Sequence, residues 1–394
     1  MIDELRTDVL TELIESLDIP DTAYQEASRR YQDLALWLQD ESKAKSARFR
    51  PSIGPQGSFR LGTVTKPWKR EDYDLDVTYR LENDITTRSY TQEQLKVLVG
   101  ADLNAYRNER QIHEKLEEKH RCWRLNYQDR LQFHMDTVPC IPHTENVRAA
   151  IQQRIIQAGT SPLLAQDMAQ FAAAITDNRH YRYRQITDDW YISNPEGYAR
   201  WFESRMRLGD AWLAARVLQA QVKHIEDLPV FQWKTPLQKA VQILKRHRDV
   251  MYEQDPERKP TSIIITTLAA NAYGGEVDLP SALEQIVNNM DVSPDIPRVP
   301  NPVNPQEDFT DKWRTPEGRR LRLEENFLIW ADQAKKDLST MLSPHNQGLL
   351  LDVVQKRFGI KVSDEIARKM VGRHSPTSAA IHVIRDSPPK PWCR

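Results

Sequence analysis

The chain has 394 residues, with 55 Lys and Arg against 56 Asp and Glu, so its formal charge is −1. That balance argues against a protein that coats nucleic acid or an acidic membrane, since both need net positive surface. No apolar run approaches the roughly 20 residues of a membrane span, and Cys122, Cys140 and Cys393 are too scattered to specify a disulfide framework or a zinc site.

The opening MIDELRTDVLTELIESL reads as an amphipathic helix over 3–17, unlike a signal or transit peptide, which makes a reducing cytoplasm the expected setting. A second helix is expected from Thr22, with Thr22 and Gln25 as a capping box and an apolar stripe through Tyr24, Ala27, Tyr31, Leu34 and Leu38. After Arg50 the pattern changes. Pro51–Phe59 reads as a strand breaking at Gly57, and Tyr73–Tyr79 alternates with period two. Residues 92–118 read as helix, followed by strands Cys122–Tyr127 and Arg130–Val138 joined by a short turn at Gln128-Asp129. Helices then dominate: Ser161-Pro162 through Ile175, one from Ser193-Asn194-Pro195, and one from Thr235-Pro236 with Gln238 completing a capping box. Residues 293–305 carry five prolines and cannot be helical, a long helix covers 317–342, and the chain from Ser375 reads as a loose tail.

The sharpest chemical feature is Asp74-Leu75-Asp76-Val77. Alternation puts Asp74 and Asp76 on one face of a strand, roughly 7 Å apart, where they repel each other. Alone, such a pair reads as an edge strand facing water. Sixty residues beyond Asp76, Leu131, Phe133 and Met135 suit a covered face, so Asp136 points to the other side. Three carboxylates can hold two divalent cations, one activating an attacking hydroxyl and one holding leaving phosphates; Mg²⁺, or Mn²⁺ in its place, prefers such oxygen ligands. Upstream, Gly57-Ser58 ends a strand and opens a helical turn, a place where backbone can approach a phosphate and Ser58 can add a hydroxyl.

The stretch GSFRLGTVTKPWKREDYDLDV resembles the signature of the DNA polymerase β-like nucleotidyltransferases. Within them the chain is most similar to the bacterial cGAS/DncV-like nucleotidyltransferases (CD-NTases), relatives of oligoadenylate synthetases. The likeness spans roughly 20–345 and includes SNPEGYARWF at 193–202, KTPLQKAVQILKRHRD at 234–249, PTSIIITTLAA at 260–270 and NPVNPQEDF at 301–309. It implies an α+β fold: a polymerase β-like palm over 1–150, its mixed sheet flanked by helices, then a helical lobe over 151–374 and a tail over 375–394. It further implies that Asp74, Asp76 and Asp136 are a metal-binding catalytic triad, and that Gly57, Ser58, Lys245 and Ser262 bind the triphosphate of an NTP, ATP or GTP. From the residues themselves, Lys245 sits at the edge of the Leu237, Val241, Leu244 stripe, where a lysine is ordinarily solvated. Relatives usually carry an acid where this chain has Asn301, in a loop that reads as packing between lobes.

The implied activity is metal-dependent joining of NTPs into a cyclic di- or trinucleotide second messenger for anti-phage signalling. The implied partners are a product-activated effector protein and, as in some relatives, a ubiquitin-transfer-like or other regulatory enzyme acting on the tail that ends Lys390-Pro391-Trp392-Cys393-Arg394. No membrane contact is expected. Without a Cys/His cluster to build a zinc insertion, direct DNA binding is not expected either. Two alternatives stay open: a linear transferase acting on RNA or protein ends, and a catalytically silent nucleotide-binding regulator.

Other features have a functional and a bland reading. Arg179–Arg184 (RHYRYR) has the composition of a nucleotide-stacking surface, or of a loop with tyrosines inward and arginines in water. Arg246, His247 and Arg248 extend phosphate neutralisation or form a wet helix face. His134 lies near the metals or is a partly buried, hydrogen-bonded histidine. Tyr198 stacks on a base or belongs to a helix start capped by Asn194 or Ser193.

Overall fold

The structure is a computed structural model describing residues 2–69, 72–128, 132–206, 228, 234–290, 298–343 and 347–361. The elements in chain order are α1 (Ile2–Leu17), α2 (Asp21–Gln39), β1 (Pro51–Pro55), α3 (Gly57–Leu61), β2 (Tyr73–Leu81), α4 (Gln92–Glu109), β3 (Glu117–Glu118), β4 (Trp123–Tyr127) and β5 (Phe133–Pro142). Then come α5 (Glu145–Gln157), α6 (Pro162–Ala169), β6 (Ala173–Ile175), β7 (Tyr191–Ser193), α7 (Pro195–Arg205), α8 (Pro236–Met251), α9 (Ser262–Ala272) and α10 (Leu279–Asn289). The hairpin β8 (Pro300–Asn301) and β9 (Asn304–Asp308) precedes α11 (Pro316–Leu321), α12 (Leu323–Leu342) and α13 (Gln347–Phe358).

The sheet order is β1-β2-β5-β4-β3, with β6 added to β5 and β7 to β6. β2 and β5 run parallel and the other pairs antiparallel. On β2 the alternation sends Leu75, Val77, Tyr79 and Leu81 into a core with Tyr31, Leu34 and Leu38 of α2 and Leu95, Val99 and Leu103 of α4. A second core joins α6, α7 and the helices from α8 onward. Val9, Leu10, Leu13, Ile14 and Leu17 of α1 also belong to it, so the first helix packs with the helical lobe. The α+β, two-lobed architecture agrees with expectation. Among the described residues no helix is long and apolar enough to cross a membrane.

Several boundaries differ from expectation, each for a physical reason. α2 starts at Asp21 and no Thr22–Gln25 box forms, because Pro20 at φ −58° sets the first turn and its carbonyl receives the amides of Ala23 and Tyr24. α4 has its own box, Thr91 with Gln94, and stops at Glu109; Gln111 at φ +54° cannot continue a helix. The helix from Pro162 ends at Ala169, and Ala173–Ile175 become a strand by pairing with Cys140–Pro142, a tertiary contact overriding helical periodicity. The long helix after Pro316 is two, divided at Arg322 with φ +57°. α8 begins as expected, with Thr235 and Gln238 closing a full capping box around Pro236. Asp129, Arg130 and Leu131, residues 293–297 of the proline-rich stretch, and the tail from Ser375 lie outside the described residues.

α8 runs through the second core with polar residues buried all along it, from Gln238 to Asp249. Burying such groups is costly unless each is hydrogen-bonded. Here the segment leading from α3 to β2 lies along the helix and supplies the acceptors. Gln238 donates to the Leu61 carbonyl at 2.9 Å, Gln242 to Val64 at 2.7 Å, Lys245 to Thr63 at 2.8 Å and Arg246 to Lys66 at 2.5 Å. His247 pairs with Asp337 at 3.0 Å, and Arg248 with Asp249. Of the two readings of 246–248, the wet helix face does not hold: all three side chains are buried.

Candidate active site

The site forms where β1 turns into α3, beside the starts of β2 and β5. Asp74 and Asp76 project from the uncovered face of β2, and the parallel register sets Asp76 directly beside Asp136 on β5. One carboxylate oxygen from each of the three lies within 4.8 Å of the others. Gly57 closes the arrangement from above. Its φ of +63° favours glycine, and a methyl at this position would collide with Asp76 Oδ2.

Crowding like charges raises their proton affinity. Burial, then Asp74 and Asp136, push the Asp76 carboxyl up to about 8, and burial with Asp136 raises Asp74 as well. A partner that sequence reading missed partly compensates: Arg124 on β4, register partner of Asp136, grips its two oxygens at 2.7 Å each and comes within 3.7 Å of Asp74. His134 is partly buried and hydrogen-bonded, to Asp72 at 2.7 Å and to Arg124 at 3.2 Å, and it lines the same cleft as Asp74 and Asp76.

A cleft of about 950 Å³ brings the remaining expected residues together, lined by Gly57, Ser58, Asp74, Asp76, Arg124, Lys245 and Ser262, while Asp136 stays beneath Arg124. Lys245 is buried, not solvated, and burial with the nearby Arg248 lowers its ammonium to about 8. Ser262, first residue of α9, accepts Arg248 Nη1 at 2.7 Å, which ties the α9 start to α8.

Other sequence features fall elsewhere. Tyr198 is a core residue whose hydroxyl meets Thr267 at 2.8 Å, so it offers no base a ring; Asn194 caps its helix by accepting from Gly197 N at 3.0 Å. None of residues 179–184 lines the cleft. They form turns in which Tyr181 points outward at 73% exposure, with the Arg182 guanidinium 5.1 Å from its ring centre. Asn301 receives the amide of Val303 at 3.0 Å and donates to Glu307, so both ends of its amide are engaged within the β8–β9 hairpin.

Residues 51–140, the sheet region carrying all three carboxylates, match the family model described as the nucleotidyltransferase domain of cyclic GMP-AMP synthase DncV-like proteins. The c-di-GMP synthase of Roseivirga ehrenbergii is 31% identical over 313 residues, 78% of this chain and 72% of that protein. The chain belongs to the DncV-like nucleotidyltransferases. A second relative of this nucleotidyltransferase, the cyclic dinucleotide synthase CdnG of Bradyrhizobium diazoefficiens, is 24% identical over 77% of this chain and 69% of its own. The solved structure of the Bradyrhizobium diazoefficiens CdnG in complex with GTP shares the fold, with a TM-score of 0.62 at 20% identity over 94% of this chain and 99% of that one. The chain is thus an enzyme of the cyclic oligonucleotide synthase class.

Proposed function

We propose that this nucleotidyltransferase joins NTPs, ATP or GTP, into a cyclic di- or trinucleotide second messenger, with Asp74, Asp76 and Asp136 as catalytic metal ligands. The carrying observation is the trio of carboxylates within 4.8 Å of one another, of which Asp74 and Asp76 line the same cleft as Gly57, Ser58, Lys245 and Ser262. An all-oxygen donor set with excess negative charge, expressed in the raised Asp76 carboxyl, fits hard divalent cations. Bound there, two Mg²⁺ or Mn²⁺ ions would supply acidity to an acceptor 2′- or 3′-hydroxyl and neutralise phosphate charge.

The chain's own groups then hold and align. Ser58 and the Gly57 backbone receive the donor's phosphates from the sheet side, and Lys245 and Ser262 from the helical side. In-line attack on the α-phosphorus breaks its bond to the bridging oxygen, and pyrophosphate leaves into these cationic and hydroxyl contacts. Repeating the step within the linear intermediate closes the ring. The product is read as a signal to a separate effector in cytoplasmic anti-phage defence, with a ubiquitin-transfer-like or other regulatory partner acting on the enzyme.

The test is mass spectrometry of products from the four mixed NTPs with Mg²⁺, before and after phosphatase. Phosphatase-resistant cyclic products are expected, and Asp76→Ala should abolish pyrophosphate release. Activity only with an added RNA or protein acceptor would replace this reading with a linear transferase. Parental pyrophosphate release by Asp76→Ala would remove the triad from the mechanism.

A further inference from the structure

The Gly57–Ser58 turn belongs to a helix of five residues, with φ of +63° at Gly57 and Gly62 at φ +68° as its C-cap. So short a helix has little stability of its own, and both ends are glycines able to pivot. What holds it is Arg60, two residues past Ser58 and buried outside the cleft lining. Its guanidinium donates Nε and Nη2 to Glu196 at 2.8 and 2.9 Å and Nη1 to Glu203 at 2.8 Å. Glu196 and Glu203 are two turns apart on one face of α7, so the grip fixes rotation as well as position. Arg200 extends the cluster, donating to Glu196 at 2.9 Å and to Asp167 on α6 at 2.5 Å. On the downstream side the Leu61, Thr63 and Val64 carbonyls are held by Gln238, Lys245 and Gln242 of α8.

A buried ion cluster is weak evidence for stability, because well-packed apolar residues often serve as well. A planar fork satisfied by three oxygens on two acids is, however, a directional device that a lysine cannot reproduce. We infer that Arg60 is a positioning residue for the triphosphate: by locking α3 onto α7 it aims the Ser58 hydroxyl and the Gly57 amide at the phosphates without touching substrate. This rests on the reading of the turn given under the proposed function.

Arg60→Lys keeps the charge and loses the fork. Calorimetric titration of parent and variant with a non-hydrolysable NTP and with the matching monophosphate, alongside thermal unfolding, separates the roles. The triphosphate analogue should bind roughly tenfold or more weakly, while monophosphate affinity stays at the parental level. A folded variant with parental triphosphate affinity, or equal losses for both ligands, would overturn the inference. If Arg60→Lys does not fold, Glu203→Gln keeps the Glu196 fork and should show a smaller loss, again confined to the triphosphate; parental affinity there counts against Arg60. A parent protein that binds neither ligand would overturn the nucleotide site itself.

Discussion

The two walls of the cleft bury charge on opposite terms. On the helical wall, Gln238, Gln242, Lys245 and Arg246 each meet a main-chain carbonyl between Leu61 and Lys66, four side chains and four acceptors. On the sheet wall three carboxylates crowd one face, and Arg124 compensates them only in part, leaving the Asp76 carboxyl pushed up to about 8. Buried polar groups that satisfy one another specify architecture. A surplus of one sign, held in place by a register and a glycine, is a site waiting for a ligand of the other sign. Lys245 belongs to both: it is satisfied by Thr63 and still lines the cleft.

Substitutions should therefore separate the walls. Gly57→Ala attacks the sheet wall, since its methyl meets Asp76 Oδ2 and its φ is positive. Turnover should fall roughly a hundredfold from misplacement of the turn and Asp76, while the left-handed backbone costs about 1–2 kcal/mol of stability; pyrophosphate release and denaturant unfolding read the two. Gln242→Leu attacks the helical wall by stripping the Val64 carbonyl and Asp18 of a donor. It should cost about 1–3 kcal/mol in urea unfolding with turnover at saturating NTP largely kept. The reverse pattern, with Gln242→Leu silencing turnover at an unchanged melting point, would refute the division of labour.

Much of the site was legible because its signals are local. Period-two alternation places Asp74 and Asp76 on one face, and the Thr235-Pro236-Gln238 cap starts α8 where it is found. Arg124 was not legible, because it depends on register. A two-residue turn at Gln128-Asp129 would pair Arg124 with Phe133, whereas the strand register pairs Tyr127 with Phe133 and Arg124 with Asp136. The signal lay in the alternation itself: Leu125 is covered, so Arg124 shares the carboxylate face. Nor could helical periodicity show that Arg246, His247 and Arg248 are buried. The partners of Arg246 and His247, the Lys66 carbonyl and the Asp337 carboxylate, come from distant parts of the chain, and Arg248 is buried against Asp249 and the start of α9. The same holds for α1, whose apolar stripe is evident but whose partner lobe is settled only by packing.

A single measurement weighs the two walls against each other. In the metal-free protein Asp76 releases its proton near pH 8 instead of the ordinary 3.8. Between those values the folded state holds the extra proton, so this group's contribution to stability falls as pH rises. Lys245 runs the other way: its ammonium is lowered from 10.5 to about 8, so across that interval the folded state holds fewer protons than the unfolded one. Its contribution therefore rises with pH. The two slopes meet near pH 8, where their summed contribution is least. Urea unfolding in chelator from about pH 5 to pH 10 should show Asp76→Asn flattening the fall and Lys245→Met flattening the rise, each leaving the other limb in place. An Asp76→Asn protein that still loses stability along the parental slope would mean that Asp76 is not where the sheet wall's unpaired charge resides.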